Sequence, residues 1–219
     1  MSTQSNIDLI RLIEYNMNGE LSDVVDDIFK RHRITSMNVS ELVYEIRADG
    51  SNSLFYYLRE PVDYDEVARD VARVMGVNVK KIGSGDAKDY EEAVLIKCIE
   101  KYFDKATEEE RKILLHDLDN IIGKQNVNNI VKFGGAGVIS LLSVVGQKAL
   151  MDIIKQIVLK ICSIQTAGQI IGRIGGLLIP VLNIIMTVWL AVDIMGPAYR
   201  KTIPTVVQSA ILRLFNSPE

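Results

Sequence analysis

Between Arg173 and Asp193 the chain runs for 19 residues without a charge, Ile174 to Val192. Few water-facing elements tolerate such a run, so it limits the folds open to the whole polypeptide. As a helix it would be roughly 28 Å long, close to the roughly 30 Å of a bilayer's hydrocarbon layer. Pro180 and Asn183 lie inside it and Trp189 near one end, where an interfacial anchor is expected. A second uncharged run, Phe133 to Gln147, is 15 residues long.

These runs belong to a chain of two unlike parts. Residues 1–125 carry 17 Lys and Arg against 25 Asp and Glu; residues 126–219 carry 8 against 3. The overall charge of −3 therefore hides an acidic front and a weakly basic back. We read two domains, an acidic helical one over 1–125 and an apolar, glycine-rich helical one over 126–219. No dense basic stripe appears, which argues against nucleic acid as a partner. The two cysteines, Cys98 and Cys162, are too few and too far apart for a disulfide framework or a CxxC metal site. The polar opening residues predict no secretory signal, and the expected location is the cytoplasmic side, peripheral to or integral in the inner membrane.

The periodicity predicts an all-α fold. Leu21, Val24, Val25, Ile28 and Phe29 recur at helical spacing, and Ile7, Ile10 and Ile13 follow Ser5. Ser40 is a candidate cap for a helix holding Leu42, Val43 and Ile46, and Asp49–Ser53 reads as a turn. Asp63 opens a helix that Gly76 stops. Tyr90, Val94, Leu95, Cys98, Ile99, Tyr102 and Phe103 form one long stripe. Thr107 and Glu110 have capping-box spacing, and the helix they open is expected to continue through Ile113, Leu114, Leu118 and Ile121. Val77–Lys80 is the one brief strand-like alternation.

In the back, Gly168, Gly172 and Gly176 share one helix face, a spacing that lets membrane helices approach closely. Gly134, Gly135 and Gly137 form a second small-residue patch. The alternative for the same segments is a hairpin buried in a soluble bundle. Gly196-Pro197 ends the apolar run, and Tyr199, Arg200 and Lys201 beyond it suit a headgroup interface. The competing reading packs Tyr199 inward and pairs Arg200 with an acid. Ile203-Pro204 is read as the start of the last helix, with Pro204 in its first turn.

The segment Gly196 to Gln208, G-P-A-Y-R-x-T-I-P-x-V-x-Q, resembles the closing signature of the YaaW-like family of uncharacterised bacterial proteins. Its carriers here are Gly196, Pro197, Tyr199, Arg200, Thr202 and Pro204. Asp63–Val74 also resembles that family, and Glu91–Leu118 resembles a part likened to ubiquinol–cytochrome c chaperones. The resemblance implies kinship and brings no activity, cofactor or catalytic residue with it.

Candidate chemistry is sparse. His32 and His116 have no second ligand at metal spacing and read as surface or cap residues. Cys98 in its apolar stripe reads as inert core, and Asp23, Asp26 and Asp27 as a solvated face. Asp49 to Glu60 has the length of a calcium loop but Leu54 where glycine is required. Gly83–Asp86 lacks the Lys-Ser/Thr of a phosphate loop. The expectation is a non-enzymatic protein without cofactor or metal. Two functions remain: a membrane-associating, homo-oligomeric, pore-forming or bilayer-perturbing protein with a soluble regulatory front, or a soluble helical adaptor or assembly chaperone whose acidic front binds a partner protein.

Overall fold

The structure is a computed structural model and describes residues 3–51, 60–82, 85–116, 118–165, 178, 182–183 and 198–216. Among the described residues every regular element is helical: α1 (Gln4–Asn16), α2 (Ser22–His32), α3 (Val39–Gly50), α4 (Tyr64–Val74), α5 (Ala87–Lys105), α6 (Glu108–Leu115), α7 (Asp119–Ile122), α8 (Lys124–Phe133), α9 (Gly135–Gln165) and α10 (Tyr199–Asn216). The all-α expectation holds. Within the strand-like Val77–Lys80, Val79 and Lys80 instead belong to a 3-10 turn over Val79–Lys81.

Local signals place most of the front helices. Leu21, Val24, Val25, Ile28 and Phe29 are all buried along α2. Lys30, Arg31 and His32 fill its last turn, where cations oppose the helix dipole, and Arg33 closes it in a left-handed conformation. Gly76, at φ +81°, ends α4 while Val77 N–H donates back to the Ala72 carbonyl. The Thr107–Glu110 capping box forms in both directions at the start of α6.

Several expectations shift. In α1 the buried face is Asn6, Leu9, Leu12, Ile13 and Asn16, so Ile7 and Ile10 sit at its margin. Asn38, two residues before Ser40, caps α3 by accepting from Glu41 N–H. Asp49 belongs to the last turn of α3 and not to a free turn. The helix opened by Thr107 stops at Leu115, and α7 begins after a bend at Leu118. That bend lets Leu114, Leu115, Leu118 and Ile122 all face inward, which leaves Ile113 and Ile121 outside at 56% and 59% exposure. A single straight helix would have kept one narrower stripe.

The last helix produces the main correction. α10 starts at Tyr199, and Pro204 lies inside it and not in its first turn. Proline lacks an N–H, so the carbonyl one turn back, on Arg200, loses its usual intrahelical donor; Arg200 is on the exposed side, where water can serve it. Every residue from Thr202 to Leu212 is buried, and α10 packs against α1, α2, α3, α4 and α5. The C-terminal helix, drawn from the weakly basic part of the sequence, therefore packs among the helices of the acidic front.

α6, α8 and α9 sit on the far side of α5. Arg111 locks this junction, donating from Nε to the Phe103 carbonyl (2.7 Å) and from Nη1 to the Val131 carbonyl (3.0 Å). These carbonyls end α5 and α8, where a cation is favoured. The Gly134–Gly137 patch works here. A Cβ on Gly135 would lie 2.5 Å from the Glu100 carbonyl oxygen, and one on Gly137 would lie 2.5 Å from Ile130 Cα. Small residues thus bring α9 onto α5 and α8 within the bundle. Gly146, at φ +77° and ψ 169°, breaks α9 between Val145 and Gln147.

Candidate functional site

The chemistry of this protein gathers along α10, where buried polar side chains meet partners from each of the five front helices. At its start, His32 of α2 is buried with Nδ1 2.8 Å from Asp49 Oδ2 and Nε2 2.8 Å from Thr205 Oγ1. Thr205 donates its own proton to the Lys201 carbonyl at 2.9 Å. Both ring nitrogens thereby have hydrogen-bond partners within the fold. Lys201 Nζ reaches both oxygens of Asp49 at 3.0 Å. Burial alone would raise the Asp49 carboxyl, but hydrogen bonds and charge from His32 and Lys201 outweigh it and hold the group below its ordinary value.

The order Asp49–His32–Thr205 matches that of an acid–base relay with a hydroxyl nucleophile. Its surroundings do not. Thr205 is fully buried in mid-helix and its proton is engaged by a backbone carbonyl. The cluster acts as a fastening between α2, α3 and α10. Asp49→Ala is expected to cost about 2–3 kcal/mol at neutral pH, as a charge-assisted bond among buried partners. Because the folded carboxyl is depressed, its contribution is complete above the ordinary value of 3.8 and fades only as the pH falls below it. Wild type and variant should therefore converge in urea midpoint only in that acid range.

Further along α10, Gln208 Nε2 donates to Asp27 Oδ2 at 2.6 Å, and Arg31 Nε donates to the same oxygen at 2.7 Å. Arg31 Nη2 also reaches Asn183 Oδ1 at 3.2 Å. Next, Arg213 Nε donates to Glu91 Oε2 at 2.5 Å while Tyr64 Oη donates to Glu91 Oε1 at 2.8 Å. Glu91 and Tyr64 have no solvent exposure. Burial raises the Glu91 carboxyl despite the charge and hydrogen bond of Arg213, and burial with the Glu91 charge raises the Tyr64 phenol well above its usual value. Burial would lower the Arg213 guanidinium, yet the Glu91 charge leaves it raised. At the far end, Asn216 Nδ2 donates to Asn16 Oδ1 at 3.0 Å.

The residues singled out by sequence fall as follows. Tyr199 is half-buried against the core, and Arg200 is exposed. Among the described residues Lys201, and not Arg200, pairs with an acid of the front. Thr202 and Pro204 are buried in α10. Gly168, Gly172, Gly176, Trp189, Gly196 and Pro197 lie outside the described residues. Within the uncharged run, Leu178 and Leu182 are fully buried and join the common core. His32 is a buried hub and not the surface or cap residue expected. Asp27 belongs to this network and not to a solvated face. Cys98 is buried, which pushes its thiol well above the usual range. Among the described residues no group of three or more His, Cys, Asp or Glu is placed to hold a metal. Among them also, no helix is long and apolar enough to cross a membrane.

Comparison with known proteins adds kinship. No family model matches the chain, and no solved structure matches it. A UPF0174 protein of Helicobacter pylori is 30% identical over 225 aligned positions, covering 95% of this chain and 85% of the relative. Its name lends no support to the chaperone resemblance of the middle segment. Identity at that level over nearly the whole length marks common descent, and this chain belongs to the UPF0174 family.

Proposed function

We infer that this is a non-enzymatic, membrane-associating helical protein acting on the cytoplasmic side of the inner membrane, with its acidic helical bundle as a soluble platform. We also place it with the YaaW-like proteins, on the Gly196–Gln208 motif. One observation carries the membrane reading: the 19-residue uncharged run is strung between α9 and α10, both built into the bundle. Leu178 and Leu182 tuck against that bundle, and Arg31 holds Asn183. Such contacts suit an apolar segment sheltered in water and handed to a bilayer on encounter. Self-association through the face of Gly168, Gly172 and Gly176 completes the proposal.

Flotation of the full chain with vesicles, followed by a carbonate wash, tests it. Ile184→Lys/Ile185→Lys puts two charges in the middle of the run. Each lysine costs about 2.5–3.5 kcal/mol at the centre of a span, so carbonate-resistant retention should fall by at least about a hundredfold. Retention equal to that of the unaltered chain would overturn the reading. The burial of Leu178 and Leu182 also favours a second reading, a soluble adaptor with the run as permanent core. That alternative stands if the intact chain remains a monodisperse species that never floats.

A further inference from the structure

The part of α9 before its break, Gly135 to Val145, contains no charged residue, yet one of its faces is open to solvent. Ala136, Ile139, Ser140, Ser143 and Val144 are all exposed, at the three- and four-residue spacing of a single stripe. Ile139 is 43% and Val144 68% exposed. Of its polar members, Ser143 spends its hydroxyl proton on the helix itself, donating from Oγ to the Ser140 carbonyl at 2.7 Å. Immediately before the stripe, Phe133 stands 54% exposed at the α8–α9 corner, with Lys132 Nζ 5.2 Å from its ring centre. Water-facing helices normally cover that side with charge.

The corner is rigid. Arg111 fixes the end of α8, and Asp104 Oδ1 accepts from Gly135 N–H at 2.9 Å. The apolar stripe is therefore a presented surface. Its flanks are cationic: Lys132 and Lys148, both exposed, bracket it in sequence. Over residues 124–165 there are five lysines and one acid, Asp152, in a protein whose first 125 residues are strongly acidic.

We propose that this face of α9, with Phe133, Lys132 and Lys148, is a docking surface for an anionic lipid bilayer. The inference rests on the membrane reading above and gives it an entry point. Exposed aliphatic and aromatic groups enter the headgroup boundary while lysines meet lipid phosphates. Charge decides against a second copy as the occupant, since pairing this face with itself would oppose its own lysines. The surface supplies a salt-sensitive first contact, and the 174–192 run supplies the carbonate-resistant one.

The test uses the full chain and two vesicle types, phosphatidylcholine alone and an equal mixture with phosphatidylglycerol. Flotation is read at low and high salt, before and after carbonate. The intact chain should prefer the mixed vesicles, with salt-labile binding. Ile139→Glu/Val144→Glu and Lys132→Glu/Lys148→Glu should each weaken that binding by at least about tenfold, because each removes apolar contact or cationic attraction. Their urea midpoints should not move, because all four side chains are exposed; Ile139→Leu/Val144→Ile should bind as the intact chain does. Unaltered binding by Ile139→Glu/Val144→Glu, equal affinity for the two vesicles, or an effect of that variant on self-association alone would overturn the proposal. Ile184→Lys/Ile185→Lys separates the two ideas: it should keep salt-labile binding while losing carbonate resistance. If instead it alone abolishes all binding, this surface fails and the membrane reading stands. An intact chain that binds neither vesicle overturns both.

Discussion

Arg213→Met is expected to lower folding stability by about 3–5 kcal/mol at neutral pH, the usual consequence of stripping one partner from a buried ion pair. Arg213 supplies the positive charge that answers Glu91, which has no exposed surface of its own. Tyr64 supplies a hydrogen bond to Glu91 but no charge. The pH dependence should carry the signature of the stranded acid. The folded Glu91 carboxyl already lies above its ordinary 4.5, and loss of Arg213 would lift it further. A raised carboxyl means that the folded state binds more protons than the unfolded one. Stability is then greatest below the ordinary value and is lost as the pH rises through the folded one. The deficit of Arg213→Met should thus shrink on acidification from neutral pH toward the glutamate range. Glu91→Leu/Arg213→Met should recover most of the loss, because an apolar pair removes the stranded charge. Urea unfolding of wild type and the two variants across pH checks this. A single variant within about 1 kcal/mol of wild type would show that Glu91 finds another partner or stays protonated throughout.

Gly137→Ala and Gly135→Ala should each cost about 2–3 kcal/mol, the scale of forced overpacking. At Gly137 the three nearest atoms to an added Cβ are all backbone: Ile130 Cα, Asn129 O and Ile130 N, at 2.5–2.7 Å. Backbone cannot swing aside as a side chain can, so α8 and α9 must part. At Gly135 the obstacles are the Glu100 carbonyl and Asp104 Oδ1, the oxygen that accepts from its own N–H. Gly19 is the control, since an added Cβ there meets nothing closer than 4.0 Å. Gly19→Ala should be neutral or stabilise by about 0.4–1 kcal/mol through the unfolded chain. Equal midpoints for Gly137→Ala and Gly19→Ala would show that the α8–α9 contact is loose.

Sequence pattern was a good guide wherever cause and effect lie within a few residues. Spacing alone places the buried face of α2, the α4 stop at Gly76, and the capping box of Thr107 and Glu110. It does not place α10. Thr202, Thr205, Gln208 and Ser209 look like the wet side of an amphipathic helix, yet all are buried. The partners of Thr205 and Gln208 stand on α2, 173 and 181 positions away in the chain. His32 misleads for the same reason. A histidine without a second ligand at metal spacing reads as a surface group, while Asp49 and Thr205 satisfy it through the fold. Pro204 invites a helix start because proline is favoured there, yet the helix tolerates it internally. The charge asymmetry likewise reports composition, which does not know that the last turns of the basic part thread the acidic one. Sequence pattern singles out Lys201 as a cation for a headgroup interface, and its pairing with Asp49, 152 positions away, lies beyond any local spacing.

A helix that is central in space and last in sequence has a consequence for how this protein is made. Asn16 and Asn216 are joined across 200 positions of chain, and contacts of that separation close late. While the ribosome is still translating, α1 to α5 have nothing to close around until the last helix has emerged. A truncation that spares residues 1–125 but removes the C-terminal helix would therefore yield a shell without its axle.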